Sequence, residues 1–356
     1  MKMIVRRTAL AVCTLVLAVT LSTAASAACT GFDDVPESAD CYESVIYLAK
    51  CEIAAGTGND CFSPEQLITV EQWAVMLCRA YGAETIRDSW QDVGRSSVVE
   101  AYRQGWLNET ALSAPRSPMC RSVLVESAFA AADVPVYDST LYEGGASLST
   151  ADNILRVGRE LGLCSDDADT NALVTRGDAA IILHVVLTQS FRIEEPPVPV
   201  TLVNAAGVNV NDFLLELRKL PEQVLDAFNA VGWTYCFDFD YMGGLSKKLH
   251  MSCIGATSYG QKTIYISEAS ATLHEFGHFL DWMLGFPAEH EQLFRAEAAA
   301  ALLRDYAKTN AREYFADCFA YWVKYAGNTN AISLLQECAP LTFRYMEEVT
   351  ILQWPN

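Results

Sequence analysis

Positive charge is scarce in this chain. Its 356 residues carry 25 Lys and Arg against 44 Asp and Glu, a formal charge of −19. A protein that grips a nucleic-acid backbone needs a basic footprint, and one that rests on an anionic membrane needs a polybasic segment; neither is present. Beyond residue 27 no apolar run is long enough to span a bilayer. The twelve cysteines include no C-x-x-C pair, which argues against a zinc ribbon. Histidine is rarer still, with five in all, so two that share a pattern carry weight. Disorder is excluded from the other side. A chain of this length with 51% apolar and 19% charged residues can bury a sizeable core and has room for two domains.

Residues 1–27 read as a secretory signal peptide. Lys2, Arg6 and Arg7 form a basic start, Thr8 to Leu21 an apolar stretch, and Ala25-Ser26-Ala27 a small-residue cleavage site. An uncleaved anchor is the alternative. Acylation at Cys29 is disfavoured, because Ser26 stands where a lipobox has a large aliphatic residue. Cleavage takes Cys13 away and leaves eleven cysteines, an odd number, on an export route that permits disulfides. Cys41, Cys51 and Cys61 lie ten residues apart and are expected to staple one small region.

Ile193-Glu194-Glu195-Pro196-Pro197-Val198-Pro199-Val200 favours an extended, polyproline-like segment. A linker over 191–200 is therefore expected between an N-terminal region (28–190) and a C-terminal one (201–356). The N-terminal region is repetitive. Phe32-Asp33-Asp34-Val35 leads to an apolar helical run from Val45 to Cys51, and then to Ile68-Thr69-Val70-Glu71. A second cycle opens at Trp90-Gln91-Asp92-Val93 and reaches Met119-Cys120-Arg121-Ser122. A third keeps Ile154 to Leu163 and Val174-Thr175-Arg176-Gly177-Asp178, without the aromatic opening. Periods of this size signal a pseudo-symmetric helical module. These features resemble S-layer homology repeats, and the resemblance implies an all-α domain that binds cell-wall polysaccharide at a bacterial surface. It points to Arg176 as a glycan contact, with Arg121 matching it loosely and Val70 replacing it in the first repeat. A helical scaffold without ligand is the plainer reading.

The chemistry-bearing motif is His274-Glu275-Phe276-Gly277-His278. On a helix the two histidines lie one turn apart on one face and can grip one zinc ion, with Glu275 placed to work on water. Leu273, Phe276, Phe279, Leu280 and Met283 supply an apolar helix face; Ser267 or Ser270 is expected to cap it and Gly285-Phe286-Pro287 to end it. A catalytic zinc needs a third protein ligand. A histidine six residues past His278 is ruled out by Leu284, and His290, past the Gly-Phe-Pro break, reads as a surface histidine. The better candidate is Glu313, on a second helix with Asp317 one turn beyond it. Glu313 can bind zinc while Asp317 accepts the free ring N–H of a ligating histidine. Lys262 to Ser267 alternates and reads as an edge strand able to pair with an extended substrate.

Tyr306-x-x-Thr309-Asn310-x-x-Glu313-Tyr314-Phe315-Ala316-Asp317-x-Phe319 resembles the corresponding stretch of the catalytic domain of anthrax lethal factor and its relatives, the bacterial Pro-Pro endopeptidases. The resemblance implies a gluzincin-type zinc endopeptidase over roughly 201–354. In it His274, His278 and Glu313 would be the ligands of one Zn2+, Glu275 the general base and Tyr306 the donor to the transition-state oxyanion. Asp317 stands where such proteins often carry a glutamate. The expected fold is mostly α with a small β-sheet in the catalytic domain, behind an all-α repeat domain. The expected protein is secreted or carried at the bacterial surface and acts on a protein or peptide substrate. Two other readings fit the same residues: a non-catalytic wall-binding protein with a decayed protease domain, and an amidase or related hydrolase acting on peptidoglycan.

Overall fold

The computed structural model describes residues 2–4, 31–85, 89–352 and 354. The segment read as a signal peptide lies outside the described residues except for Lys2–Ile4, a short strand (β1) paired antiparallel with Arg192–Glu194 (β2). Cys29 lies outside them as well. The chain divides into two compact units, Met1–Glu195 and Pro196–Asn356.

The first unit is built from α1 (Tyr42–Lys50), α2 (Val70–Tyr81), α3 (Trp90–Arg103), α4 (Glu109–Ser113), α5 (Arg121–Ala131), α6 (Thr150–Glu160) and α7 (Arg176–Thr188). Side-chain caps fix most of the helix starts. Thr69 and Gln72 form both halves of a capping box on α2, and Ser89, Ser149 and Thr175 each accept the backbone N–H of an aspartate three residues on. Helices α2, α5 and α7 spring from a common junction. The Ile68 N–H donates to the Val174 carbonyl, Val174 to Met119, and Met119 to Ile68, each at 3.0 Å. Two residues on, Val70, Arg121 and Arg176 donate to the carbonyls of Ser117, Ala172 and Gln66. Ile68, Met119 and Val174 are buried, so backbone groups that would be orphaned at the centre satisfy one another around a pseudo-threefold axis. The third repeat occupies an equivalent place although it lacks the aromatic opening.

The expected cysteine staple is not there: Cys41 and Cys61 carry free thiols. Packing and hydrogen bonding hold that region instead. Val45, Ile46, Leu48, Phe62 and Trp73 are buried, and the Asp34 carboxylate accepts the N–H groups of Phe62 and Ser63, both at 2.7 Å.

The second unit contains β3 (Leu202–Asn204), α8 (Asn211–Leu217), α9 (Glu222–Ala230), β4 (Thr234–Phe237), α10 (Phe239–Leu249), β5 (Gly255–Ser258), β6 (Thr263–Ile266), α11 (Thr272–Met283), α12 (Ala288–Glu297), α13 (Ala311–Lys324), α14 (Thr329–Cys338) and α15 (Pro340–Ile351). The sheet runs β3-β4-β6-β5, with β3, β4 and β6 parallel and β5 antiparallel to β6. This corrects one expectation. The alternating segment after Lys262 is an interior strand, and the edge belongs to β5, because the turn at Tyr259–Lys262 folds β5 back along it. Phe228, Trp233, Tyr235, Phe276 and Phe279 form a buried aromatic core between α9, the sheet and α11. The molecule is thus mostly helical with one small mixed sheet, as its sequence leads one to expect. Among the described residues no helix is long and apolar enough to cross a membrane.

Candidate metal centre

Helix α11 carries His274, Glu275 and His278, all buried. No serine caps it. A short 3-10 turn, Ala269–Ala271, leads straight into Thr272, and no side chain caps the first turn. Its register against α13 depends on Gly277. A Cβ there would lie 2.6 Å from the Ala316 Cα, well inside van der Waals contact. The missing side chain lets the two helices close to backbone contact, which puts Glu313 opposite the histidines. Helix α13 starts at Ala311 because the Asn310 side chain accepts the N–H groups of Arg312 and Glu313.

Three ligand-type atoms converge. His274 Nε2 lies 3.1 Å and His278 Nε2 3.3 Å from the same Glu313 oxygen, Oε2, and the three groups can present ligand atoms all within 4.8 Å of one another. Ligands at about 2.0 Å in a tetrahedron around zinc are about 3.3 Å apart. The donor chemistry also fits a cation. The Nδ1–H of His274 donates to Asp317 Oδ1 at 2.6 Å, since an ionised carboxylate only accepts. In the neutral ring Nε2 is then a lone pair facing the Glu313 carboxylate. Two acceptors at 3.1 Å need a positive centre between or beside them, either a proton or a metal ion.

Without a metal that demand falls on protons. Burial disfavours charge on His274, but the Asp317 and Glu313 carboxylates outweigh it and hold its pKa up at about 9. Burial works against ionised Glu313 too, yet the two histidines hold its carboxyl well below the usual carboxylate range. The Glu275 carboxyl is pushed up, chiefly by burial, with the two histidines acting against the shift. It accepts the Thr257 hydroxyl at 2.7 Å. A Cβ on Gly255 would come within 2.6 Å of Glu275 Oε1, so the glycine clears room for this carboxylate at the strand edge.

Tyr306 reaches the site by a different route from that expected. It does not ride on an N-terminal extension of α13, which Asn310 stops, but on a 3-10 turn, Asp305–Lys308. Its ring centroid is 6.3 Å from that of His274, and the residue is 43% exposed at the cleft. The cleft, about 850 Å³, is lined among others by Leu249, Gly255, Thr257, Glu275, Tyr306 and Glu313. His290, read as a surface residue, is buried. Asp281 accepts its Nδ1–H at 2.8 Å, Tyr345 donates to Nε2 at 2.9 Å, and Phe315 stacks on its ring. Both its nitrogens are thereby engaged away from the candidate centre.

Sequence reasoning missed Thr257, Gly255 and Arg304. Arg304 donates to both oxygens of Asp317, from Nε at 2.7 Å and from Nη2 at 2.6 Å. None of the three lies in a recognisable motif; only the strand alternation around Thr257 gave a signal. In the first unit Arg176 is buried, with Nε on the Phe62 carbonyl and Nη2 on that of Ala55. It lines a cavity of about 330 Å³ with Gln66, Gln72 and Arg79. Arg121 lies 3.6 Å from the Asp178 carboxylate instead.

The comparisons agree with this division of labour. Residues 219–349, which hold every group of the candidate centre, match the family model of the anthrax toxin lethal factor N- and C-terminal domain. Residues 31–72, the first repeat, match that of the S-layer homology domain. Among solved structures, a Pro-Pro endopeptidase from Paenibacillus alvei is similar at 18% identity, with a TM-score of 0.35 over 42% of this chain and 96% of that one. No curated protein matches the chain. The two family matches support a peptidase carried at a cell surface.

Proposed function

We propose that the C-terminal unit is a gluzincin-type zinc endopeptidase, exported and held at the bacterial cell wall by the N-terminal repeats. The observation that carries this reading is the convergence of His274, His278 and Glu313 beside a buried Glu275, in a cleft bordered by a free strand edge. His274, His278 and Glu313 would hold one Zn2+, and a bound zinc supplies the Lewis acidity that makes water nucleophilic near neutral pH. Glu275, steadied by Thr257, takes a proton from the attacking water and returns it to the leaving amine. The Tyr306 hydroxyl is the donor for the developing oxyanion. The β5 edge, rather than β6, pairs with the substrate backbone. In the repeats, Arg176 shapes the floor of a groove for wall polysaccharide, its guanidinium already committed to two carbonyls.

The deciding experiment combines zinc analysis with cleavage of a proteome-derived peptide library, for the parent protein and Glu275→Gln. About one zinc per chain is expected in both, with cleavage by the parent alone. A parent that holds zinc, cuts no peptide and releases muropeptides from walls would favour the peptidoglycan reading. A parent that takes up no zinc would favour the decayed domain.

A further inference from the structure

Arg304 stands just before the turn that carries Tyr306, and its contacts run in two directions. Toward the core, its guanidinium grips Asp317 through two hydrogen bonds, the forked geometry that arginine makes with carboxylates. Asp317 Oδ1, one of the two oxygens gripped, also accepts the His274 Nδ1–H, and Arg304 Nη2 is only 2.9 Å from that nitrogen. Toward the cleft, the guanidinium carbon lies 5.5 Å from the centroid of the Tyr306 ring. The Asp317 side chain is 8% exposed and that of Arg304 51%. The pair therefore joins the buried back of the candidate centre to its open rim.

We infer that Arg304 is a positioning residue for the proposed metal centre. It fixes the Asp317 carboxylate, and through it the orientation of the His274 ring, while holding the Tyr306 turn over the same site. The physical case lies in the freedom of an aspartate. With His274 as its only partner, Asp317 could rotate about its side-chain torsions and still keep one hydrogen bond, and the imidazole would follow. Two parallel bonds from a planar guanidinium remove that rotation. They also share the carboxylate's charge, so His274 keeps its Nδ1 proton and presents a neutral Nε2. A lysine at 304 would keep the charge but offer a single point contact.

The inference rests on the metalloenzyme reading, and its test reads metal affinity as well as turnover. Zinc dissociation constants of the full chain are measured by chelator competition for the parent, Arg304→Gln, Arg304→Lys, Asp317→Asn and the double variant Arg304→Gln/Asp317→Asn. The melting temperature of each metal-free protein is followed alongside. Loss of an outer hydrogen-bonding partner of a ligand typically costs ten- to a hundred-fold in metal affinity. Arg304→Gln should thus weaken zinc binding by about tenfold or more, and Arg304→Lys should recover only part of it. The double variant should bind zinc no worse than Asp317→Asn alone, because Arg304 acts through Asp317. In kinetics, Arg304→Gln at saturating zinc should lower kcat more than it raises KM, since the turn bearing Tyr306 loosens. Unchanged zinc affinity in Arg304→Gln, or additive losses in the double variant, would overturn the positioning role; so would a loss of affinity that merely tracks melting of the metal-free protein. A parent that binds no zinc would overturn the metal centre itself, and the role of Arg304 with it.

Discussion

The two halves of this chain treat repetition in opposite ways. In the N-terminal unit one local design is used three times, and its side chains have drifted. Val70, Arg121 and Arg176 occupy equivalent places around the junction, yet only Arg176 donates to two carbonyls of the Phe62 and Ala55 loops. Backbone hydrogen bonds define the junction, so side-chain loss leaves it standing. In the C-terminal unit nothing is duplicated. His274, Glu275, His278, Tyr306 and Glu313 each do something no neighbour can do, and Gly255 and Gly277 are needed because a single extra carbon would collide. A scaffold kept by its backbone tolerates substitution; a site kept by side-chain atoms does not.

That contrast can be broken, most forcefully at Glu275. Glu275→Gln should retain zinc and lose roughly a hundred- to ten-thousand-fold in kcat, within the range for a general acid–base group; appreciable turnover would remove Glu275 from the mechanism. Next comes Tyr306→Phe, expected to keep zinc and KM while kcat falls roughly ten- to a thousand-fold, the scale of one oxyanion donor. A rate near that of the parent would leave Tyr306 as a bystander at the rim. Gly277→Ala addresses packing. The new methyl would force α11 and α13 apart, and a loss of about 1–3 kcal/mol is expected in urea unfolding, together with weaker zinc binding. Wild-type stability would mean that the helices have slack. The smallest effects belong to the repeats. Arg176→Ala should destabilise the N-terminal unit by about 1.5–3 kcal/mol through the two lost charge-assisted bonds, whereas Arg121→Ala, whose ion pair is longer and partly exposed, should cost under about 1 kcal/mol. Equal effects at the two positions would erase the asymmetry.

Legibility followed the same line. The helix period places His274 and His278 on one face and Glu313 and Asp317 on another from spacing alone, and the hydrophobic pattern separates helical repeats from the mixed domain. Features that depend on who meets whom across the fold were not legible. Tyr306 and Glu313 are seven residues apart, which suggests one helix, but the Asn310 side chain competes for the first N–H groups and ends it. An alternating strand looks the same at an edge or inside a sheet, so the edge was assigned to β6 when the returning β5 takes it. His290 looked solvent-exposed because its partners, Asp281 and Tyr345, are 9 and 55 residues away. The Arg304–Asp317 pair belongs to the same class: no period links a turn to the middle of the following helix.

The ring of hydrogen bonds through Ile68, Met119 and Val174 has a consequence for how the first unit comes into being. In an open solenoid each added repeat stacks on its predecessor, so folding can start anywhere and spread, and arrays can lengthen or shorten. A closed ring has no growing end. Ile68 and Val174 must meet across more than a hundred residues before the central bonds are complete, and that loop closure carries its entropic penalty before most of the reward arrives. Folding of this unit should therefore wait for the last repeat and then proceed as one cooperative event. A chain cut after the second repeat would keep its helix propensities but lose the junction that holds them together.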